Sequence, residues 1–507
     1  MKKTLKLGVT LLLSAAVGGC AVGIDYKRPK VATPAVFGEA HRGPTTQAVA
    51  VVDLTQWWTT FHDAELESLI KRAIASNLDL LTAEARVRQA RAQLGVEQAL
   101  LFPTVDANAS ATKSQSSRNV GGFNNQVGAA TGERRVDLYQ GGFDAGWEVD
   151  VFGGTRRAIE AASADLESQV DARRNVLVSI TAEVARDYIL LRGDQAQLAL
   201  TYSNLKSQQD TLDLTRSRFR AQLISDLDVA QAQANVATTA SQIPALQIQI
   251  KQTMHALGIL LGQEPMALAV ELEKTAPIPP TPSEVPVGVP SELLRRRPDV
   301  RQAERQLAAA TANIGVAVAQ LFPKFSLTGS LGQESTRFGL IARADGSSFW
   351  SIGPTVSWRI FDANQLRDQV RVQNALQEQA LLTYQKTVLQ SFSDVEDALV
   401  AYAQDQNRTK SLAESVSANQ RAVSLSNQLY RAGLGDFLNV LTAERNLYSA
   451  QLEMTLSQSN VATDLVQLYK ALGGGWDANN EQQFQKNEDP ALPANDPVPA
   501  GQKVAMK

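Results

Sequence analysis

Few side chains in this 507-residue chain have the types and spacing that chemistry needs. The only cysteine, Cys20, closes the run Val17-Gly18-Gly19-Cys20 and is the one thiol open to covalent modification. His41, His62 and His255 are scattered, and no second cysteine could join them around zinc. Neither a Gly-Lys-Ser/Thr phosphate loop nor His-Glu-x-x-His occurs. The expectation is therefore no enzyme, no metal site and no cofactor. The remaining charged groups of interest flank two short breaks in helical sequence. Arg220, Asp226 and Asp228 surround one; Arg431-Ala432-Gly433-Leu434-Gly435-Asp436 forms the other. Carboxylates and guanidiniums converging on one axis set an aperture by repulsion, pairing and bound cations. A carboxylate that opens a helix serves equally as an N-cap, so both readings of Asp436 and Asp226 stand. Gly433 and Gly435 supply the permissive backbone of a tight corner. Asp394, Glu396 and Asp397 read as a solvated acidic face.

Cys20 acquires meaning from what precedes it. Lys2, Lys3 and Lys6, an apolar run from Leu7 to Val17, and then small residues form a secretory signal over 1–19. A cysteine directly after the small pair resembles the lipobox of bacterial lipoproteins, which implies an acylated first residue. The alternative is an ordinary signal with a chance cysteine. Acyl chains contribute about 0.8 kcal/mol per buried methylene, so multiple acylation makes a stable anchor.

Composition narrows the class. The formal charge of −3 becomes three units more negative when the signal lysines leave, which excludes the basic footprint of a nucleic-acid binder. With Cys20 used as the anchor, no internal disulfide is available. Beyond residue 20 no apolar run approaches the ~18 residues a spanning helix needs. A membrane crossing must then be made by strands.

The elements that position these groups are written twice. Ser76–Pro103 aligns without gaps on Arg296–Pro323, a separation of 220, and both end in Leu-Phe-Pro. Trp147–Gly154 answers Trp358–Ala363, and Phe219–Gln233 answers Tyr430–Glu444. Three matched blocks in one order mean a duplicated unit of about 200 residues. Proline ends each first helix, because the preceding residue is pushed out of helical geometry. Alternation then begins. Val105, Ala107, Ala109 and Ala111 oppose Asp106, Asn108, Ser110 and Thr112; Phe143, Ala145, Trp147, Val149 and Val151 oppose Asp144, Gly146, Glu148 and Asp150. In the second half Phe325, Leu327 and Leu331 are followed by Ile352, Pro354, Val356, Trp358 and Ile360, against Ser351, Gly353, Thr355, Ser357 and Arg359. Strands are predicted at about 104–113, 142–152, 324–335 and 349–361, with apolar residues on lipid and Trp147, Trp350 and Trp358 in an aromatic girdle.

Between strands and corners lie long helices. From Thr155 to Phe219 there is no proline, and Leu177, Ile180, Val184, Tyr188 and Leu191 keep a three-and-four spacing. Asn364–Tyr430 repeats it with Leu389, Phe392, Val395, Leu399 and Tyr402. Some 65 residues extend roughly 100 Å. A helix so long and polar is expected to pack sideways on copies of itself and not in its own chain's core. The predicted organisation is an extended lipidated arm (20–60), a first repeat (61–275), a Pro-rich extended linker (276–298), a second repeat (299–475) and a disordered tail (476–507).

Four amphipathic strands cannot close a barrel, because bacterial barrels start at about eight. Subunits must share one: two chains give eight strands and a filled bore, three give twelve and a channel.

The lipobox, Val22-Gly23-Ile24-Asp25-Tyr26-Lys27-Arg28-Pro29, the Arg295-Arg296-Arg297-Pro298-Asp299-Val300 run, the paired Leu-Phe-Pro blocks and the duplicated corner resemble the TolC/OprM outer-membrane factors, NodT-type lipoprotein branch. The resemblance covers residues 1 to about 476. It implies an α+β membrane protein: a homotrimer with a 12-stranded outer-membrane β-barrel over a periplasmic α-barrel. It also implies docking through a periplasmic adaptor (membrane fusion) protein onto an inner-membrane pump of RND type, and export of drugs or other small toxic compounds. In that family, carboxylates just past the corner on the inner helix constrict the entrance; here Asn439 and Thr442 hold the matching positions. Asp436, Asp226 and Asp228, with Arg431 and Arg220, are the substitute gate candidates. A protein-secretion duct would share the fold. A lipid-anchored coiled-coil structural protein would explain the lipobox and helices but not the paired strands.

If Cys20 carries the lipid, Cys20→Ser abolishes incorporation of radiolabelled fatty acid and slows or misdirects sorting to the outer membrane. Undiminished labelling of the variant would refute the assignment.

Overall fold

The computed structural model describes residues 21–39, 54–115, 135–283, 285 and 290–477. Cys20, the signal and the tail from 478 onward lie outside the described residues. Helices α1 (Ala64–Ser76) and α2 (Leu78–Ala99) precede strands β1 (Thr104–Gln115) and β2 (Arg135–Val149). Then come α3 (Gly154–Arg220), α4 (Asp226–Leu260), and the short α5 (Ala269–Leu272) and α6 (Pro290–Arg296). The second repeat comprises α7 (Pro298–Ala319), β3 (Lys324–Ser335), β4 (Ser348–Ser357), α8 (Gln365–Arg431) and α9 (Phe437–Ala471). Gly154 matches Gln365 and Arg220 matches Arg431, a separation of 211 that also relates α4 to α9. Among the described residues no helix is long and apolar enough to cross a membrane.

The chain divides into two units. One draws on Met1–Thr33, Leu81–Arg173 and Pro298–Gln390. Its sheet is an antiparallel meander, β1-β2-β3-β4, with β1 and β4 at the edges. Register decides its character. Val105 faces Ala145, Phe143 faces Leu331, Trp147 faces Leu327, Leu331 faces Trp350 and Phe325 faces Val356. Opposed residues share a face, so these apolar positions of all four strands lie on one side. The other side carries Asp106, Asn108, Asp144, Glu148, Ser330, Ser351 and Thr355. The apolar side is bare: Trp350 is 77% exposed.

Three strand limits differ from expectation. β2 begins at Arg135, not near 142, because the alternation inverts at Gly141-Gly142: Val136 and Leu138 fall in the opposite phase to Phe143 and Ala145. A reading in one phase stops there. β2 ends at Val149, where the Val151 N–H turns back to the Val149 carbonyl at 2.8 Å, so Val151 and Phe152 leave the ladder. β4 ends at Ser357, paired with Lys324 just after Pro323, and Trp358–Phe361 have no strand opposite them. Trp147 and Trp358 donate their indole N–H to the carbonyls of Leu101 and Leu321, at 3.0 and 3.1 Å, tying each second strand to the helix end before the first.

The N-terminal segment in this unit is held by specific bonds. Asp25 pairs with Arg157 at 2.6 Å, Tyr26 donates to Glu304 at 3.1 Å, and Arg28 meets Glu304 at 3.0 Å. Gly23 has φ +101°, and a Cβ there would sit 2.6 Å from the Gly315 Cα, so both the backbone and the space require glycine. Burial first, then the Glu304 charge, raises the Tyr26 pKa, keeping its hydroxyl a donor.

The other unit draws on Pro34–Leu80, Arg174–Arg297 and Ser391–Lys507. Asp63 caps α1 by accepting from the N–H groups of Glu65 and Leu66, and Leu66, Leu69, Ile70 and Ala73 bury one helical face. Trp57–Phe61, expected within an extended arm, form a 3₁₀ turn whose Trp57, Trp58 and Phe61 enter this core. The core also takes Val184, Ala185, Tyr188 and Leu191 of α3, all fully buried. The expectation that α3 contributes nothing to its own chain's core is therefore wrong for its middle, where one apolar stripe meets α1, α4 and α9. The 276–298 segment is not wholly extended either. Pro290 and Pro298 each occupy the first position of a helix, where proline's missing N–H costs nothing.

Arg297 is buried between the end of α9 and the interior of α8. It donates to the Ala471 and Ser391 carbonyls at 3.2 and 3.4 Å and pairs with Asp394 at 2.8 Å. Glu396 accepts from the Gly38 and Glu39 N–H groups at 2.6 and 2.9 Å. The acidic trio is thus no simple solvated face: Asp394 and Glu396 hold other segments in place, and Asp397 accepts from Ser393 at 3.1 Å.

The two faces of β4 give a direct test. Val356→Arg, on the apolar face, is expected to cost about 2–4 kcal/mol near a bilayer midplane, while Thr355→Arg on the polar face assembles normally. Yield of heat-resistant, membrane-inserted protein measures both, and equal tolerance refutes the assignment of faces.

Candidate functional site: the paired helix corners

Each corner is a left-handed helix end. In the second repeat the Leu434 N–H reaches back to the Leu429 carbonyl at 2.9 Å and the Gly433 N–H to that of Tyr430 at 3.0 Å. In the first, Leu223 bonds Arg218 at 3.0 Å and Gln222 bonds Phe219 at 2.8 Å. This is the Schellman arrangement, which needs one residue at positive φ. Gly433 takes it at +75° without strain; Gln222 takes the matching position at +61°. Space at Gly435 is tight, since a Cβ there would lie 3.2 Å from that of Leu429.

The two corners are locked side by side. Arg218 donates to the Tyr430 carbonyl and places its guanidinium 4.4 Å from the Tyr430 ring centre. Tyr430 packs on Phe437 at 5.7 Å, and Leu212, Ala232, Val440 and Leu441 complete a small apolar core. No charge pattern pointed to Arg218; its match, Leu429, is apolar, so the repeat hid it.

The structure sorts the sequence candidates. Asp436 stands at the N-cap of α9, yet its carboxylate accepts no capping hydrogen bond. Asp226 is not a cap: Ser225 holds that position, and Asp226 and Asp228 lie in the first turn of α4. At the 211 separation Asp436 matches Ser225, and Asp226 matches Phe437. Asp226, Asp436, Arg220 and Arg431 are exposed, and Asp228 is half-buried. Arg220 contacts only Ser217, at 3.3 Å, among the described residues. Thr442 returns its hydroxyl to the Leu438 carbonyl at 2.8 Å.

Farther along α9, Glu444 is buried and accepts from the Thr211 hydroxyl at 2.8 Å. Burial raises its pKa against that hydrogen bond, which ties α9 to α3. A second carboxylate pair, Asp405 and Asp464, joins α8 to α9; burial and then the Asp405 charge raise the pKa of Asp464. Asp194, which matches Asp405 at the 211 separation, is pushed up to about 6 by burial, countered by Gln249. Among the described residues no cluster of His, Cys, Asp and Glu could hold a metal ion.

A sheet apolar on one face, polar on the other and open at both edges, joined twice over to long helices that return at paired corners, defines the class of chains that build outer-membrane ducts. The comparisons agree. A family model described as outer membrane efflux protein matches residues 69–263 and 289–474, once per repeat. The chain belongs to this family. It is similar to the toluene efflux pump outer membrane protein TtgC of Pseudomonas putida, 33% identical over 97% of this chain and 99% of that protein. Nodulation protein T of Rhizobium leguminosarum bv. trifolii is 30% identical, over 92% and 97%. Among solved structures, the outer-membrane channel OprN superposes with a TM-score of 0.83 at 35% identity, covering 90% of this chain and all of that one.

Removing the Arg218 clamp should loosen the corners. Arg218→Met is expected to destabilise the protein by about 1–3 kcal/mol through the lost charge-assisted hydrogen bond and cation–π contact. Asp436→Ala, which removes no capping bond, should change stability by less than about 0.5 kcal/mol. Thermal melts of the helical signal distinguish the two, and a large loss at Asp436 would restore the cap reading.

Proposed function

We propose that the chain is the exit duct of a tripartite efflux pump, three copies forming one 12-stranded outer-membrane barrel over a periplasmic α-barrel. The observation that carries this is the four-stranded sheet with an apolar face and two open edges. Lipid leaves edge N–H and C=O groups without partners, at several kcal/mol each, so β1 must pair with β4 of another copy. Three copies give twelve strands and an open bore, where two would give a filled one.

Lipid on Cys20 would hold each copy at the outer membrane, with the helices extending into the periplasm. A periplasmic adaptor would join the duct to an inner-membrane pump of RND type. Relatives named for toluene, solvent and antibiotic efflux support small toxic compounds as cargo over secreted proteins. Their match along nearly the whole chain, together with the paired strands, disfavours a coiled-coil structural role. Passage through such a duct makes and breaks no covalent bond, and no cofactor is assigned.

At the corners, we assign Asp436, with Asp226 or Asp228, to the rim of the periplasmic entrance, where Arg431 and Arg220 add opposing charge. Exposed carboxylates repeated three times around an axis attract cations and repel anions. Native mass spectrometry in detergent should show three chains. In planar bilayers Asp436→Asn should lower cation preference and block by divalent ions. A stable monomer would overturn the duct, and unchanged selectivity would remove Asp436 from the rim.

A further inference from the structure

The two repeats present two equivalent grooves, and only one is roofed. Between α8 and α9 a groove of about 600 Å³ is bordered by Pro277–Ser283, with Ala196 of α3 on its wall, and the Tyr402 hydroxyl donates to the Pro282 carbonyl. Between α3 and α4 lies a groove of about 760 Å³. Their lining residues correspond at the 211 separation: Gln195 with Gln406, Gln247 with Gln458, and Ile250 with Val461. The roofing segment leaves α5 in the first repeat, borders the α3/α4 groove only at Glu273 and Thr275, and then runs beside α8 and α9. The α3/α4 groove has no proline-rich segment along it among the described residues, and Ile248 there is 58% exposed.

The chain carries a second copy of the roof. At the same separation Pro279, Pro282, Pro286 and Val287 recur as Pro490, Pro493, Pro497 and Val498. The separation runs unbroken through α4 and α9 to the left-handed glycines Gly262 and Gly473. The tail is thus in register with the linker. Prolines spaced by three and four favour the extended polyproline conformation, which loses little entropy on binding an apolar groove. We propose that residues 490–498 of a neighbouring copy lie in the α3/α4 groove, as Pro277–Ser283 lie in the α8/α9 groove. The linker passes from one repeat to the next, so the tail, leaving the second repeat, reaches the first repeat of the following copy. The match is incomplete at one point. Leu191 stands where Tyr402 stands and carries no hydroxyl. Tyr202 and Gln247, in contact at 3.2 Å on the groove wall, are among the polar groups placed to hold the tail backbone.

This assignment rests on the trimer proposed above, and the test separates the two. The full chain carrying Leu492→Cys and Ile248→Cys is treated in detergent with a short bismaleimide, beside each single variant and the unsubstituted chain as controls for Cys20. Covalently linked dimers and trimers in the double variant alone are expected. Deleting residues 488–507 should speed maleimide labelling of Ile248→Cys several-fold. A trimer by native mass spectrometry that gives no linked bands, or whose Ile248→Cys stays equally protected without the tail, overturns this inference and leaves the duct standing. Links confined to the monomer band assign the groove to the chain's own tail and overturn the neighbour. A monomer by mass overturns both.

Discussion

The constraint on which the architecture turns is the hydrogen bonding of two sheet edges. Among the described residues β1 and β4 each present an edge with no strand beside it, and the apolar face between them is exposed. In water such an edge is an aggregation hazard; in hydrocarbon its backbone groups have no partner at all. The closure by further copies proposed above would answer both conditions at once. It would also assign the two faces, sending one to lipid and the other to a bore. The inverted phase of β2 before Gly141 fits a strand that continues past the apolar band, where the demand for an apolar outer surface ends.

Duplication supplies the rest economically, and the departures from it are informative. Helices of 67 and 35 residues recur at one separation without insertion. Both corners close by the same pair of backbone bonds, yet one uses Gln222 and the other Gly433. Ser225 and Asp436 hold equivalent caps. Arg218 has only Leu429 as its counterpart, so the contact between corners is one-sided: the first repeat clamps the second.

The family's sequence signatures are explained by tethering. Asp25, Tyr26 and Arg28 bind Arg157 and Glu304, and Gly23 allows the backbone to touch Gly315. Arg297 satisfies the carbonyl that ends α9 while pairing with Asp394 on α8. Both runs fasten irregular chain to helices by charge and hydrogen bond, and an apolar substitute would leave buried polar groups unpaired.

By itself the sequence determined the duplication, the long helices and the strand alternation. These are one-dimensional properties: periodicity and proline placement act locally, and repeats need only comparison. Tertiary structure decided what depends on residues far apart. The N-cap at Ser225 and the non-capping Asp436 carboxylate rest on backbone geometry that residue type alone does not fix, whereas the Arg218 clamp on Tyr430 and the tethering by Asp394 and Glu396 rest on partners distant in the chain. So does the burial of the middle of α3, whose apolar stripe reads alike whether it meets its own chain or another. The strand ends at Val149 and Ser357 were hidden for the same reason. A ladder stops where its neighbour stops, and the neighbours are Phe325 and Lys324, nearly two hundred and some thirty residues away.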